Sequence, residues 1–437
     1  MSQPLKGYKY RLYPTPSQTD SLNKVFGCTR FVWNHFLAES ATDYNTYQLE
    51  LAQYESIPAY LRQLEMPIKP EVPNLKHLSA SLTALKAEPG YEWLNDVPAV
   101  PLQQSLRNLS TAYSKFLGSF GPKATKAKSG YPKFKKYKGR QSASYVDNAF
   151  DLRAELAQPS LLKLKLARIE TLIDVQWTRE LPSQPKTATV SRDPSGHYYV
   201  SFNCEYEPKL TNGQAITGID LGIKDFATLS DGGEIAPIAN PKHYHKQQRR
   251  LAHLQRTLAR QVLHSKGWHK TQQKIAKLHQ HIANQRKDHL HKLSRQLVDE
   301  NQAICIENLA VTNMAKNRHL SKSIMTAGWA SFCQFLTYKA EASQWCKIIV
   351  ADRYYPSTQL CSACGEKPLF KIKLGVSKWQ CSHCQTTHDR DANAALNLHK
   401  LAVLHLARFP DLTATVQYSL SYQEILRSQP KLADSIS

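Results

Sequence analysis

The chain has 437 residues, 41% of them hydrophobic, seven tryptophans and a formal net charge of +22 at neutral pH. Such a length and apolar content support two or three folded domains, and no apolar run approaches the roughly 20 residues of a membrane helix, so no membrane role is expected. A sequence pI near 9.5 implies a polyanionic partner through counterion release, and nucleic acid is favoured over an anionic membrane because the basic segments lack a large apolar face.

The N-terminal MSQPLKGYKYRLYPTPSQ has no apolar stretch of the kind that marks a protein for export, so a cytoplasmic, reducing compartment is expected. There the nine cysteines read as metal ligands and core residues rather than a disulfide framework. Residues 6–14, KGYKYRLYP, alternate basic with aromatic or apolar residues and read as a strand with one charged face. From Ser17 to Ser119 the apolar spacing is helical, interrupted by a proline-rich connection around residues 57–73. Residues 121–145 are basic, interleaved with aromatics and too rich in Gly and Pro for a helix, which suggests a phosphate-gripping loop. Between residues 160 and 206 the runs LLKLKLA, IDVQW, TATVSRD and HYYVSFNCEY read as strands. With the first strand they are expected to close a small barrel.

Near Thr211 a second region begins, where AITGIDLGIKDFATLSDGGEI reads as a hairpin. Two long basic helices follow, over 242–262 and 268–300, with Leu251, Leu254 and Leu258, then Ile275, Leu278 and Ile282, on single faces. An antiparallel pair with a basic, nucleic-acid-facing exterior is expected. QAICIENLAV is a buried strand, AGWASFCQFLTYKAEASQWC a helix, KIIVADRYYPS a strand and DANAALNLHKLAVLHLARF an amphipathic helix. From about Pro410 the periodicity fades, and the tail over 411–437 is expected to be partly disordered.

Cys361, Cys364, Cys381 and Cys384 form C-x2-C, sixteen residues, C-x2-C, the spacing at which two turns each give a thiolate pair to tetrahedral Zn²⁺. Four thiolates leave no position for a substrate water, so this zinc is expected to be structural; His383 and His388 stand nearby as alternative ligands. Three acids are notable by position: Asp220 ends AITGID, Glu307 ends AICIE and Asp391 opens the last helix. Strand ends and helix starts of one mixed sheet can converge, and carboxylates meeting there make an oxygen site for Mg²⁺ or Mn²⁺. Singly each proves little, since an Asp at a helix start is most often an N-cap. In a strongly cationic chain a buried acidic cluster matches metal-assisted phosphodiester cleavage, in which two ions about 4 Å apart activate water and stabilise the leaving 3′-oxygen.

The segments YKYRLYPTPSQ, GCTRFVWN, GYPKFKKY, GIDLGIKDFATLSDG, IENLAV, AGWASFCQFLTYKA, YYPSTQLCSACG and HDRDANAALNL, in this order over almost the whole chain, resemble the TnpB (OrfB) family of transposon-encoded proteins, relatives of type V CRISPR effectors. The resemblance implies an α/β multidomain protein: an RNase H-like RuvC nuclease domain over 208–355 and 389–410, with a zinc ribbon inserted at 356–388. A wedge-like β-barrel from 1–16 and 121–207 would be interrupted by a helical recognition module over 17–120. Asp220, Glu307 and Asp391 would be catalytic, the last being the acid followed by x-Asn-Ala, which selects it over Asp389. The implied activity is RNA-guided DNA endonuclease, acting with Mg²⁺ or Mn²⁺ beside a short target-adjacent motif.

Its implied partners are a guide RNA copied from the transposon end and target double-stranded DNA, with one protein copy favoured and a nucleoid-associated location in a prokaryotic cytoplasm. Lys9, Arg11, Lys133, Lys135, Lys136 and Arg140 are the expected phosphate contacts, and Gln104 the candidate base reader. The inserted ribbon would pin the start of the helix that bears Asp391. Two departures from the family pattern stand in the ribbon: Gln385 follows the fourth cysteine in place of Gly, and Ser377 replaces a common Arg. Two other readings are an RNA-guided DNA-binding repressor with little cleavage and a basic accessory protein of transposition.

Overall fold

The computed structural model describes residues 4–57, 66–67, 74–118, 130–155, 158–208, 211–373, 375–409 and 416–418. Most of the proline-rich connection, residues 121–129 of the basic stretch and most of the 411–437 tail lie outside them. The chain divides into two compact units, Met1–Glu207 and Pro208–Ser437.

In the first unit β1 (Leu5–Tyr13) leads into α1 (Pro16–Ser56). A capping box fixes the helix start: the Gln18 amide donates to Thr15 Oγ1, the Thr15 amide donates to Gln18 Oε1, and Pro16 takes the first helical position. Next come α2 (Leu75–Leu85), α3 (Ala99–Gly118), β2 (Gln141–Val146), β3 (Phe150–Glu155), β4 (Gln158–Leu166), β5 (Asp174–Gln176), β6 (Thr187–Arg192) and β7 (Tyr198–Glu205). Five strands form an antiparallel sheet in the order β2-β6-β7-β1-β5, while β3 pairs with β4 and a single bridge, Leu164 to Ile173, joins β4 to the approach of β5. Among the described residues no ladder closes this sheet on itself. A 3-10 turn with Asp147 at φ 50° separates β2 from β3, and β3 takes its partner from β4 instead. One apolar core joins strand residues such as Tyr10, Leu12, Val200 and Phe202 to Leu22, Phe36, Leu82 and Leu102 of the helices.

The second unit begins with β8 (Ala215–Leu221), β9 (Asp225–Ser230) and β10 (Ile235–Ala239), then α4 (His243–Arg260), α5 (Lys266–Glu300), β11 (Asn301–Ile306), α6 (Val311–Met314), α7 (Ser321–Ala327), α8 (Trp329–Ser343) and β12 (Lys347–Val350). It ends with β13 (Lys378–Gln380), β14 (Thr387–Asp389), α9 (Arg390–Arg408) and β15 (Val416–Tyr418). Six strands make a mixed sheet ordered β10-β9-β8-β11-β12-β15: the first three run as antiparallel neighbours, and β8, β11, β12 and β15 are parallel. The near-continuous apolar run of β11 suits a parallel strand buried on both faces. On one face Leu290, Leu293, Leu297, Phe332 and Leu336 of α5 and α8 pack against Ile219, Phe226, Ile304 and Ile306. On the other, Leu398, Leu401 and Ala402 of α9 pack on Ala303, Cys305 and Ile349. The strand over 416–418 extends this sheet from within the segment where sequence periodicity fades.

Candidate active site and metal centre

The three acids come from three different elements. Asp220 is the next-to-last residue of β8, Glu307 follows β11 directly, and Asp391 is the second residue of α9. β8 and β11 are parallel neighbours, so their carboxyl ends, where ligands of open α/β sheets bind, lie together. Gly218 brings the helix to them: a Cβ there would stand 2.2 Å from Ala395 O and His399 N, so only glycine lets α9 rest on the β8 backbone two residues before Asp220.

Asp389, the rival third acid, is used up as the helix cap, its Oδ1 accepting from the amides of Asp391 and Ala392. Asp391 is thereby free of the capping role. Burial and the charges of Glu307 and Asp391 push the Asp220 carboxyl well above the usual range, with Arg390 pulling the other way. Burial and Asp391 likewise raise Glu307, opposed by a 2.7 Å hydrogen bond from Ser357 Oγ to its Oε1. Arg390, which the sequence reading missed, donates to Asp391 Oδ1 through Nε at 2.9 Å and Nη2 at 2.8 Å. Its side chain also lines an open cleft of about 250 Å³ together with Glu307, Ser357, Gln359 and Lys373. An all-carboxylate donor set suits a hard divalent cation. Among the described residues, however, only the four cysteines bring three or more His, Cys, Asp or Glu ligand atoms within 4.8 Å of one another.

Those sulfurs fit zinc. Cys361 Sγ lies 3.5 Å from Cys384 Sγ, and Cys364 Sγ 3.7 Å from Cys381 Sγ, against about 3.8 Å for the edge of a tetrahedron with Zn–S bonds of about 2.3 Å. The two knuckles are built alike: the amides of Gly365 and Gln385 donate to the carbonyls of Cys361 and Cys381, and both residues have positive φ, 79° and 59°. Hydrogen bonds from the Thr386 hydroxyl and amide favour the thiolate of Cys384, lowering it to about 6. His388 does not join the four as a ligand; its Nε2 stands 3.0 Å from Cys361 Sγ, placed to donate to the thiolate. His383 instead sits 3.0 Å from the Lys367 carbonyl. The other five cysteines lie in the cores, Cys28, Cys204, Cys305 and Cys346 buried and Cys333 half-buried.

Between metal centre and acids runs a set of buried amides. Asn393 Oδ1 accepts from the Ser362 amide at 2.8 Å, and its Nδ2 donates to Leu360 O at 2.7 Å. One turn on, Asn397 Nδ2 donates to the carbonyls of Ser357 and Leu360 at 2.7 and 2.9 Å. The segment over 357–362 thus touches Glu307 at one end through Ser357 Oγ, holds Cys361 at the other, and is clamped throughout to the helix of Asp391. Sequence spacing held one signal for this, two asparagines at i and i+4 on the apolar side of an amphipathic helix.

In the first unit, strand alternation puts Lys9 and Arg11 on one face of the sheet. Lys9 Nζ lies 3.8 Å from the Tyr199 ring centroid, and Arg11 Nη1 donates to the Tyr199 hydroxyl. Arg140 reaches the same row, donating to Ser191 Oγ, and Ser191 is the ladder partner of Tyr199. Lys133, Lys135 and Lys136 occupy the loop before β2; Asn34 Nδ2 donates to Lys135 O, and Lys135 Nζ sits 4.0 Å from the Trp33 ring centroid. Gln104 is half-buried on α3. A larger cavity of about 660 Å³ in this unit, lined by Asn148, Phe150, Leu162 and Gln184 among others, contains none of these residues.

Three family models match the chain: "Probable transposase" over residues 199–318, "Helix-turn-helix domain" over 1–48 and "Cas12f1-like, TNB domain" over 329–398. The first spans Asp220 and Glu307, and the third the four cysteines and Asp391. The second falls on β1 and one unbroken stretch of α1, so its described residues are a strand and a single helix. A "Putative RNA-guided DNA endonuclease" of Streptomyces pristinaespiralis is 37% identical over 91% of this chain and 89% of its own length. "Putative RNA-guided DNA endonuclease InsQ" of Escherichia coli is 29% identical over 90% and 91%. A cryo-EM structure of a Cas12f1–sgRNA–target DNA complex aligns at 13% identity with a TM-score of 0.33, over 91% of this chain and 99% of that one.

Proposed function

The chain belongs to the TnpB (OrfB) family, and from that premise we propose that it is an RNA-guided DNA endonuclease whose RuvC-like site is formed by Asp220, Glu307 and Asp391. The observation that carries this is that acids from three separate elements lie near one another, with Asp220 raised first by burial and then by the charges of Glu307 and Asp391. A cluster held against its own charge is an arrangement that bound cations relieve. Asp220, Glu307 and Asp391 would hold Mg²⁺ or Mn²⁺, which supplies water activation and neutralises charge at the leaving oxygen. Arg390 keeps a positive charge beside Asp391, and Ser357 fixes the Glu307 carboxylate through its hydroxyl. The four-cysteine centre would hold Zn²⁺ and shape the entry to α9.

Guide pairing would read sequence, while the protein grips backbone. Lys9, Arg11 and Arg140 on the sheet face, with Lys133, Lys135 and Lys136 on the adjoining loop, would hold phosphates of the guide RNA or its duplex, and Gln104 would face a base. In this reading the first unit supplies the wedge and recognition modules.

The test is to express the gene with its native flanking DNA, sequence the RNA that copurifies, and offer a plasmid carrying the matching target. Wild-type protein is expected to linearise it in Mg²⁺, and Asp220→Ala to lose at least about 10³-fold in rate while keeping RNA and target binding. Equal behaviour of the two proteins, with binding alone in both, would favour a guided repressor. Heterogeneous RNA, or none, with DNA binding intact would favour the accessory-protein reading.

A further inference from the structure

Half of the net charge sits in one hairpin. Between His243 and Lys287 there are eleven Lys or Arg and no Asp or Glu, out of a net charge of +22 for the whole chain. On α4 the exposed Lys246, Arg249, Arg256 and Arg260 fall within about 80° of arc at 100° per residue. On α5 the exposed Lys266, Lys270, Lys274 and Lys277 do the same. None of the eight makes an ion pair among the described residues, in contrast to Lys292 and Arg295 further along α5, which are held by Asp288 and Asp299.

The hairpin is an arm of the acid-bearing sheet. Leu290, Leu293, Leu297 and Val298 of α5 belong to the sheet's core, whereas Leu278 and Ile282 pack only with Leu251 and its neighbours on α4. From Lys266 to Ile282 the helix therefore runs beyond the sheet, about 24 Å at 1.5 Å per residue. Its point of departure is fixed by rings: His289 meets Phe226 at 5.9 Å and His243 at 6.2 Å. Phe226 stands at the start of β9, just past the turn that follows Asp220. Arg286 pins the same level by donating to Met325 O at 3.2 Å. The arm leaves the sheet at the end where Asp220 lies.

We infer that this arm binds the phosphate backbone of the DNA duplex next to the segment presented to the carboxylates. The inference rests on the reading of those carboxylates as a DNA-cutting site. Single-strand binders pair cationic grooves with aromatic platforms on which bases stack. The exposed stripes here carry ammonium and guanidinium groups, with the His253 imidazole on the α4 stripe but no Phe, Tyr or Trp; Trp268, half-buried at the tip, packs against His264 and His269. Two cationic stripes, the longer about 21 Å from Lys246 to Arg260, match a double-helical backbone that carries one charge per about 1.7 Å of axis.

The test uses full-length protein with its copurified RNA and Asp220→Ala as background, so that DNA stays intact. K266Q/K270Q/K274Q/K277Q is compared with its parent for binding to a target duplex from 50 to 300 mM salt. Each lost phosphate contact removes about 0.9 from the slope of log K against log salt, so the slope is expected to fall by about 2 to 4. Binding of a single-stranded target of the same sequence, and the amount of RNA that copurifies, should stay within about twofold. An unchanged slope overturns the inference, and so does an equal loss of RNA, which would assign the arm to the guide. Should the α5 substitutions alter the melting temperature, K246Q/R249Q/R256Q/R260Q repeats the comparison on the other stripe. If wild-type protein never cuts the matching plasmid while the Asp220→Ala background loses slope on substitution, the nuclease reading is removed and the arm's binding stays. If wild-type cuts and the slope is unmoved, the arm alone is removed.

Discussion

Lys135 packs its ammonium against the Trp33 ring, and burial lowers its pKa to about 8. Below pH 8 it is charged folded and unfolded. Between pH 8 and about 10.4 the unfolded chain binds the extra proton, so stability rises with pH across that window. A bound phosphate acts oppositely, favouring the ammonium, so RNA affinity should fall as pH rises through about 8. We expect a loss of about tenfold from pH 7 to 9, the worth of one charge-assisted hydrogen bond of about 1.5 kcal/mol, and its absence in Lys135→Arg; superimposable pH profiles of the two proteins would refute the contact. Gln385 shows a different local strain. It holds φ 59° where the matching knuckle has Gly365, at a steric cost of about 1–2 kcal/mol, partly offset because glycine loses more freedom on folding, about 0.5–1 kcal/mol. Gln385→Gly should therefore raise the melting temperature by about 2–4 °C and slow zinc loss to a chromophoric chelator. If neither moves, the bond from Gln385 Nε2 to Ser382 O compensates the strain. At this scale the cysteines were legible because their pattern is local. Ser357 and Arg390 were not, since the Ser357 partner is 50 residues away and Arg390 is one cation among 57.

Helix α9 is where the metal centre and the acids meet as elements. Asn393 is 1% exposed, and replacing it by Ala leaves the Ser362 amide without its acceptor, at about 1–3 kcal/mol for an unsatisfied group, while Asn397 Nδ2 still donates to the Leu360 carbonyl. Removing zinc frees Cys361, the residue next to Ser362, and loosens the same segment from the other side. Asn393→Ala, and separately a zinc-selective chelator in excess Mg²⁺, should each lower the cutting rate by about 10- to 100-fold while copurified RNA is unchanged. Cutting that survives quantitative zinc loss would show that the ribbon does not position Asp391. The extent of α9, the α4–α5 break and the β8–β9 hairpin could be read in advance, because periods of 3.6 and 2 are carried by neighbouring residues. Which surfaces those elements meet could not. Gly218 looks like any glycine in a strand until α9 lies on it, and the approach of the Asp391 helix to the β8 backbone before Asp220 depends on that contact.

Charge is distributed over the whole molecule as unevenly as over the arm. The first unit holds 26 Lys or Arg against 19 Asp or Glu, the second 31 against 16, so the unit with the carboxylate cluster carries net +15 of the +22. Like charges at this density oppose compaction, and a polyanion that binds the folded state relieves them. Composition alone points to a polyanionic partner, since counting charges needs no fold; locating half of that charge on one arm needed the packing of α5. Protein stripped of nucleic acid should gain melting temperature when its own guide RNA is added at about 100 Kd, where linkage gives about 2.7 kcal/mol, or about 5–10 °C for units of about 200 residues. A neutral polymer should give nothing, and the gain should shrink steeply between about 0.1 and 0.5 M salt as counterions compete. A gain indifferent to salt would mean that RNA is held by base and sugar contacts. The phosphate roles of Lys9, Arg11, Arg140 and the lysine loop would then fall together, whereas a salt-sensitive gain reduced in Lys9→Gln/Arg11→Gln places the guide on the outer face of the five-stranded sheet.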